Sequence, residues 1–324
     1  RWTRSLEPAA IADTRWGETR YDYDGNGQIT RTSFGDGAEE RFSYDRRLNI
    51  TATAFKNPAA VQAREIAERL QNWQGGADGR VETARGPAGE TITLRYDAKG
   101  RVVEKHVDRD GFRPRVWKFA WNGLDRLIAA HTPEGARWTY GYDAFARRLW
   151  KQEWVRATEQ DGDVSKIVWQ KGRRHDFVWD GDVIASETIT EGAVTTKVDW
   201  HFEPETFVPI ARKDGAYLSY VVTDHLGTPR EVVGETGDLE WAAEYRTWGQ
   251  IKRLQTHAPR PRGKPDYDRD QWGFIPLDAE GNAALKYDAK PNETYCPLRF
   301  QGQWEDAETG LYYNRFRYYE PGLT

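Results

Sequence analysis

The sequence predicts an all-β fold, on three observations. Aromatic residues alternate with charged and hydroxyl-bearing ones, as half-buried strands require. Turn signals of the form Tyr-Asp-x-x-Gly recur along the chain. Mean hydropathy is low at -0.86, yet 13% of the residues are Phe, Trp or Tyr, whereas disordered chains are poor in such rings. A folded, strand-rich protein with much two-sided surface fits all three.

The turn signals form a repeat. Tyr23-Asp24-Gly25-Asn26-Gly27-Gln28-Ile29 is followed by Tyr44-Asp45-Arg46-Arg47-Leu48-Asn49-Ile50, and then by Tyr96-Asp97-Ala98-Lys99-Gly100-Arg101-Val102. Tyr142-Asp143-Ala144-Phe145-Ala146-Arg147-Arg148 is a fourth copy. Two more carry Trp in place of Tyr, at Trp121-Asn122-Gly123-Leu124-Asp125-Arg126-Leu127 and Trp179-Asp180-Gly181-Asp182-Val183-Ile184. Neighbouring copies lie roughly 20–25 residues apart, with larger gaps where insertions fall, a period expected of stacked repeat units.

One unit, "TLRYDAKGRVVEKHV", reads as an alternating strand, a turn and a second alternating strand. Asp97 can bond the turn it opens, and Gly100 supplies the positive φ that such hairpins need. A single hairpin is too small to stand alone, so the units are expected to stack into one continuous sheet. The spacing predicts hairpin turns at Asp97–Gly100 and Asp24–Gly27. Two segments interrupt the pattern. "NPAAVQAREIAERLQNW", residues 57–73, places Val61, Ile66, Leu70 and Trp73 at helical spacing before Gly75-Gly76, which predicts an inserted helix. Residues 256–296, rich in Pro, Gly and Asp, read as a surface loop with one short hairpin near Leu285-Lys286-Tyr287.

Composition excludes several classes. The net charge of -4 carries no basic stripe of the kind nucleic-acid binders show. No apolar run reaches the roughly 18 residues of a membrane-spanning helix, and residues 1–4 do not resemble a signal peptide. One cysteine, Cys296, forms no disulfide framework. The six His residues show no metal-ligand spacing, so no metal or cofactor is expected. The chain has no Met and closes abruptly on an aromatic, arginine-rich stretch. Both features suggest a piece of a longer polypeptide.

Two stretches are more specific. "YVVTDHLGTPREVVGETGDLEWAAEYRTWGQI" (Tyr220 to Ile251) and "PLRFQGQWEDAETGLYYNRFRYYEP" (Pro297 to Pro321) resemble the core of the Rhs (YD-repeat) family. That family includes bacterial polymorphic toxins and the C component of insecticidal toxin complexes. With the repeat units, the resemblance covers most of the chain.

The resemblance implies a hollow, spiralling β-shell that encloses a toxin domain joined to its C-terminal end. A full shell would draw further strands from the N-terminal side. Such cores end in a motif like D-P-x-G-L, where aspartyl-protease-like self-cleavage frees the toxin. On this reading residues 1–255 are shell, 256–296 a loop insertion, and 297–324 the last strand segment before the cleavage site. The expected partners are the chain's own toxin cargo, N-terminal shell segments, and a secretion-machinery spike protein or chaperone. The protein would be secreted by a dedicated bacterial system.

Within "EDAETG", Asp306 and Glu308 match in position the acid that the family supplies from this side. Two close carboxylates cannot both ionise, so one can serve as acid and the other as base; the second would come from the downstream motif. Glu320 stands where relatives often carry Asp. The competing reading makes Asp306–Gly310 a hairpin turn with solvated acids. Asp224-His225 lacks the nucleophile and oxyanion site of a triad and reads as a turn. Cys296 reads as packing. The chain is therefore expected to be an encapsulation module without turnover chemistry of its own. Two alternatives stay open: a YD-repeat adhesion or carbohydrate-binding protein, whose aromatic ladder would stack sugars, and a self-processing aspartyl protease core.

Overall fold

The repeat turns fold by local hydrogen bonding, and every other feature of the wall builds on them. In the computed structural model, which describes residues 1–56, 69–72, 74–75, 80–85, 90–161, 164–256 and 295–323, Asp24 Oδ1 accepts from the backbone N–H of Asn26 (2.8 Å) and Gln28 (2.9 Å). Gly27 N–H closes the turn on the Asp24 carbonyl at 3.2 Å, with φ of 78°. Asp97 holds Lys99 and Arg101 in the same way, and Gly100 adopts φ 81°. Both expected hairpin turns are present.

Where the repeat lacks glycine, the backbone keeps its course. Leu48, Asp125 and Ala146 occupy the glycine position with φ of 65°, 60° and 66°, a region costly for side chains with a Cβ. The copy opened by Trp2 escapes a Tyr-Asp search. There Thr3 Oγ1 accepts from Ser5 and Glu7 N–H, and Leu6 takes φ 66°.

Each repeat aromatic also ties its unit to the one before. Tyr44 Oη donates to the Ile29 carbonyl at 2.7 Å, and Trp121 Nε1 to the Val102 carbonyl at 2.7 Å. Tyr142 Oη donates to the Leu127 carbonyl and Trp179 Nε1 to the Arg148 carbonyl, both at 2.8 Å. In all four pairs the acceptor is the sixth residue after the aromatic of the preceding unit. The ring fills the space between units while its polar tip satisfies a backbone group. These rings are wall material, with their polar tips engaged inside it.

The strands pair with their sequence neighbours throughout. An antiparallel sheet of six runs from Ala10–Asp13 to Arg69–Asn72, and a second of sixteen runs from Gln74–Gly75 to Ile251–Thr256. A third, of three strands, comprises Trp304–Asp306, Leu311–Asn314 and Arg317–Tyr319. One expectation is corrected: Arg69–Asn72, the end of the expected helix, is a strand, with Asn72 opposite Ala52 and Leu70 opposite Ala54. The open ladder edge of Ile50–Lys56 overrides a helical spacing of apolar residues. The rest of that expectation (57–68 and 73), and residues 257–294 of the loop expected over 256–296 with its short hairpin, lie outside the described residues. Among the described residues no helix is long and apolar enough to cross a membrane.

The large sheet is curled. Glu308, in the turn after Trp304–Asp306, accepts from Trp117 Nε1 at 3.2 Å, while Tyr312 Oη donates to the Gly249 carbonyl at 3.1 Å. The strands Arg115–Trp121 and Leu239–Tyr245, which bound this span, are ten strand spacings apart. In a flat sheet that is about 48 Å. The three-stranded segment is about 10 Å wide, so only a sheet wrapped around it can make both contacts. Trp304 and Tyr313 join the largest apolar cluster with Phe177, Trp200 and Trp241, on the concave side. The aromatic stretch at the end of the sequence is thus core.

Candidate functional site: a buried charge cluster

Asp306 ends its strand and opens a turn, its carbonyl accepting from Thr309 N–H (3.0 Å) and Gly310 N–H (2.8 Å). The hairpin turn expected here is present, but its acids are not solvated. Asp306 is fully buried, and the Glu308 side chain is only 4% exposed.

Their cationic partners come from one strand, Arg148–Asp161. Arg148 and Lys151 are three positions apart, which in a regular strand would send them to opposite faces. A β-bulge corrects this: Tyr142 pairs with Arg148 and Gly141 with Trp150, leaving Leu149 as an extra residue. The inserted residue flips the alternation, so both cations enter the interior while Leu149 stays exposed.

There Arg148 Nη1 donates to Asp306 Oδ2 at 2.5 Å, and Lys151 Nζ donates to Asp306 Oδ1 at 3.0 Å and Glu308 Oε2 at 2.8 Å. Tyr140 Oη donates to Glu308 Oε1 at 3.0 Å. The guanidinium carbon of Arg148 lies 4.3 Å from the Tyr313 ring centre and 5.0 Å from that of Phe177. Its Nε and Nη2 have no hydrogen-bond partner and are left to the rings.

The two acids differ electrostatically. Burial raises both, but for Asp306 the adjacent Arg148 and Lys151 outweigh it and hold the carboxyl below its ordinary range. For Glu308 burial prevails: Lys151 only partly offsets it, and the Asp306 charge adds to the rise. Asp306 is the anionic anchor, and Glu308 keeps its proton more readily.

Glu320 stands apart, accepting from Lys105 Nζ at 2.6 Å and Gly322 N–H at 3.3 Å. Asp224 caps its turn through Leu226 and Thr228 N–H, and His225 lies edge-on to Trp2. Cys296 is buried, its thiol pushed up to about 11 by burial. Among the described residues no group of three or more His, Cys, Asp or Glu is placed to hold a metal ion.

Sequence reasoning missed the cations. Arg148 left a signal, because Ile29, Ile50, Val102 and Leu127 occupy its position in other units; an Arg among aliphatic residues marks a buried charge in need of a partner. Lys151 left none. A second buried pair, His175 Nδ1 to Glu187 Oε1 at 2.6 Å, was equally silent.

A family model described as RHS protein matches residues 219–255, and one described as RHS Repeat matches 77–113. The probable deoxyribonuclease RhsB of Dickeya dadantii (strain 3937) is 27% identical over 317 residues, covering 93% of this chain and 18% of the relative. These matches make the chain similar to the Rhs (YD-repeat) family. Double-stranded DNA deaminase toxin A of Burkholderia cenocepacia (strain H111) is 29% identical to this chain over 94% of it and 20% of the relative. Toxin protein Tse5 of Pseudomonas aeruginosa is 26% identical, over 96% of the chain and 23% of the relative. The chain thus spans about a fifth of the length of these curated relatives. The crystal structure of TcdB2-TccC3 aligns over 95% of the chain and 20% of its own, at 11% identity and a TM-score of 0.38.

Proposed function

We propose that this chain is a wall segment of a β-shell that encloses a toxin domain carried by the same polypeptide. The observation that carries the reading is the wrap: a meander of sequential strands curls around its own C-terminal segment, which bridges strands ten spacings apart. The relatives add support. They share this one segment, yet bear names for different activities, a deoxyribonuclease and a DNA deaminase among them. A common container with exchangeable contents accounts for both facts. On this reading residues 1–255 are wall, 256–296 an insertion, and 297–324 the strand segment nearest the contents. Further shell strands, and a spike protein or chaperone of the export machinery, complete the assembly that leaves the cell.

Asp306 and Glu308 supply the upstream carboxylate of a self-cleavage dyad, with the second acid from a downstream D-P motif. Glu320, tied to Lys105, has a smaller part.

In the full-length protein the enclosed domain is expected to resist protease until the wall is unfolded. Digestion of that domain at the rate of the isolated domain, with the wall intact, would refute the container. Asp306→Asn or Glu308→Gln should leave wall and contents covalently joined on a denaturing gel. Normal cleavage in the double amide variant would reduce both acids to anchors.

A further inference from the structure

The first strands of the chain lie against the last strands of the large sheet, at a seam rich in cations. The three apolar clusters contain no residue before Val81. Three of the rings that the first strands offer at the seam meet cations, while Phe42 meets the Trp248 ring edge-on at 5.5 Å. Arg253 lies 4.8 Å from the Trp16 ring centre, Lys252 4.4 Å from that of Phe34, and Arg246 4.3 Å from that of Phe55.

Ion pairs complete the contact. Lys252 Nζ bridges Asp36 (2.5 Å) and Glu244 (3.1 Å), and Arg15 reaches Glu231 at 3.3 Å. Several of these side chains remain wet: Asp36 is 30% exposed and Arg15 28%. The C-terminal segment docks chiefly through Trp304 and Tyr313 in the apolar core and through Arg148, Lys151 and Asp306, fully withdrawn from water, with the exposed pair Arg315–Asp182 at its edge. Partly exposed pairs are screened by salt, whereas fully buried pairs are screened much less.

We propose that this wall opens along the seam while the C-terminal segment stays docked. The seam is then the way out for whatever the wall encloses; that consequence, unlike the opening itself, rests on the container reading. Hydrogen exchange of the protein without contents tests the opening alone, so its failure is distinct from a failure of cargo protection.

Raising salt from about 0.05 M to about 1 M should speed exchange in Gly17–Tyr23 and Ile251–Thr256 about tenfold, the loss expected when two or three partly exposed pairs are screened. Trp304–Asp306 and Leu311–Asn314 should be unchanged. Lys252→Met, which keeps the bulk and removes the charge, should give fast seam exchange at low salt and blunt its salt response. If that variant does not fold, Asp36→Asn removes the same bridge from its more exposed side. Seam exchange that ignores salt, or strands of the C-terminal segment that accelerate in step with the seam, would overturn the proposal.

Discussion

Replacing Asp306 by Asn isolates the energetics of the buried cluster. The amide keeps the shape of the carboxyl but leaves Arg148 and Lys151 facing a neutral group, both with no exposure to water. Stranding one member of a buried ion pair costs about 3–5 kcal/mol. No discount for solvent screening applies to groups this deep, and the guanidinium retains only ring contacts at Nε and Nη2. Arg148→Met alone should cost a similar amount, because Asp306 then depends on Lys151. The two together should cost far less than their sum, since Arg148 is no longer there to be stranded and Lys151 keeps Glu308: a coupling of about 2 kcal/mol or more is expected. Urea unfolding followed by tryptophan fluorescence supplies the four corners of the cycle. Asp306 has its folded pKa depressed, so its contribution is present above the unfolded value of about 3.9 and is lost as pH falls through the folded one. The Asp306→Asn variant should lack that acid-side decline. Additive effects, to within about 0.5 kcal/mol, would show that Asp306 does not interact with Arg148.

Three further outcomes follow from the wall. Leu48 is half-exposed at φ 65°, so Leu48→Gly should stabilise by about 0.5–1 kcal/mol despite the entropy of glycine, read as a raised Tm. Tyr142 Oη bonds both the Leu127 carbonyl and Tyr318 Oη; Tyr142→Phe should cost about 1–3 kcal/mol, and a neutral result in thermal unfolding would deny the inter-unit tie. Burial raises Glu187 to about 7. A raised folded pKa gives stability that is full below the unfolded value and lost as pH rises through the folded one. The wild type should therefore lose stability relative to Glu187→Gln between about pH 4.5 and 7, by about 3 kcal/mol, and then level off. Parallel pH profiles would contradict the shift.

The sequence by itself determined what is decided within half a dozen residues. Asp24, Asp97 and Asp143 each bond backbone groups two and four positions on, so their turns form from local chemistry and could be read as text. Strand alternation and sequential pairing follow from those turns, which is why the meander was legible. The helix expected before Gly75 failed at Arg69–Asn72 because its backbone is claimed by Ile50–Lys56, a partner that spacing does not reveal. The site was half legible. Asp306 and Glu308 carried a motif, whereas Arg148 lies 158 residues away along the chain and faces inward together with Lys151 only because Leu149 bulges out. Only the curled sheet could bring these charges together, since the turns fix each hairpin locally but say nothing of how far successive hairpins rotate. That rotation is set by packing against Trp304 and Tyr313, and it decides whether Asp306 is a solvated turn residue or a buried anion.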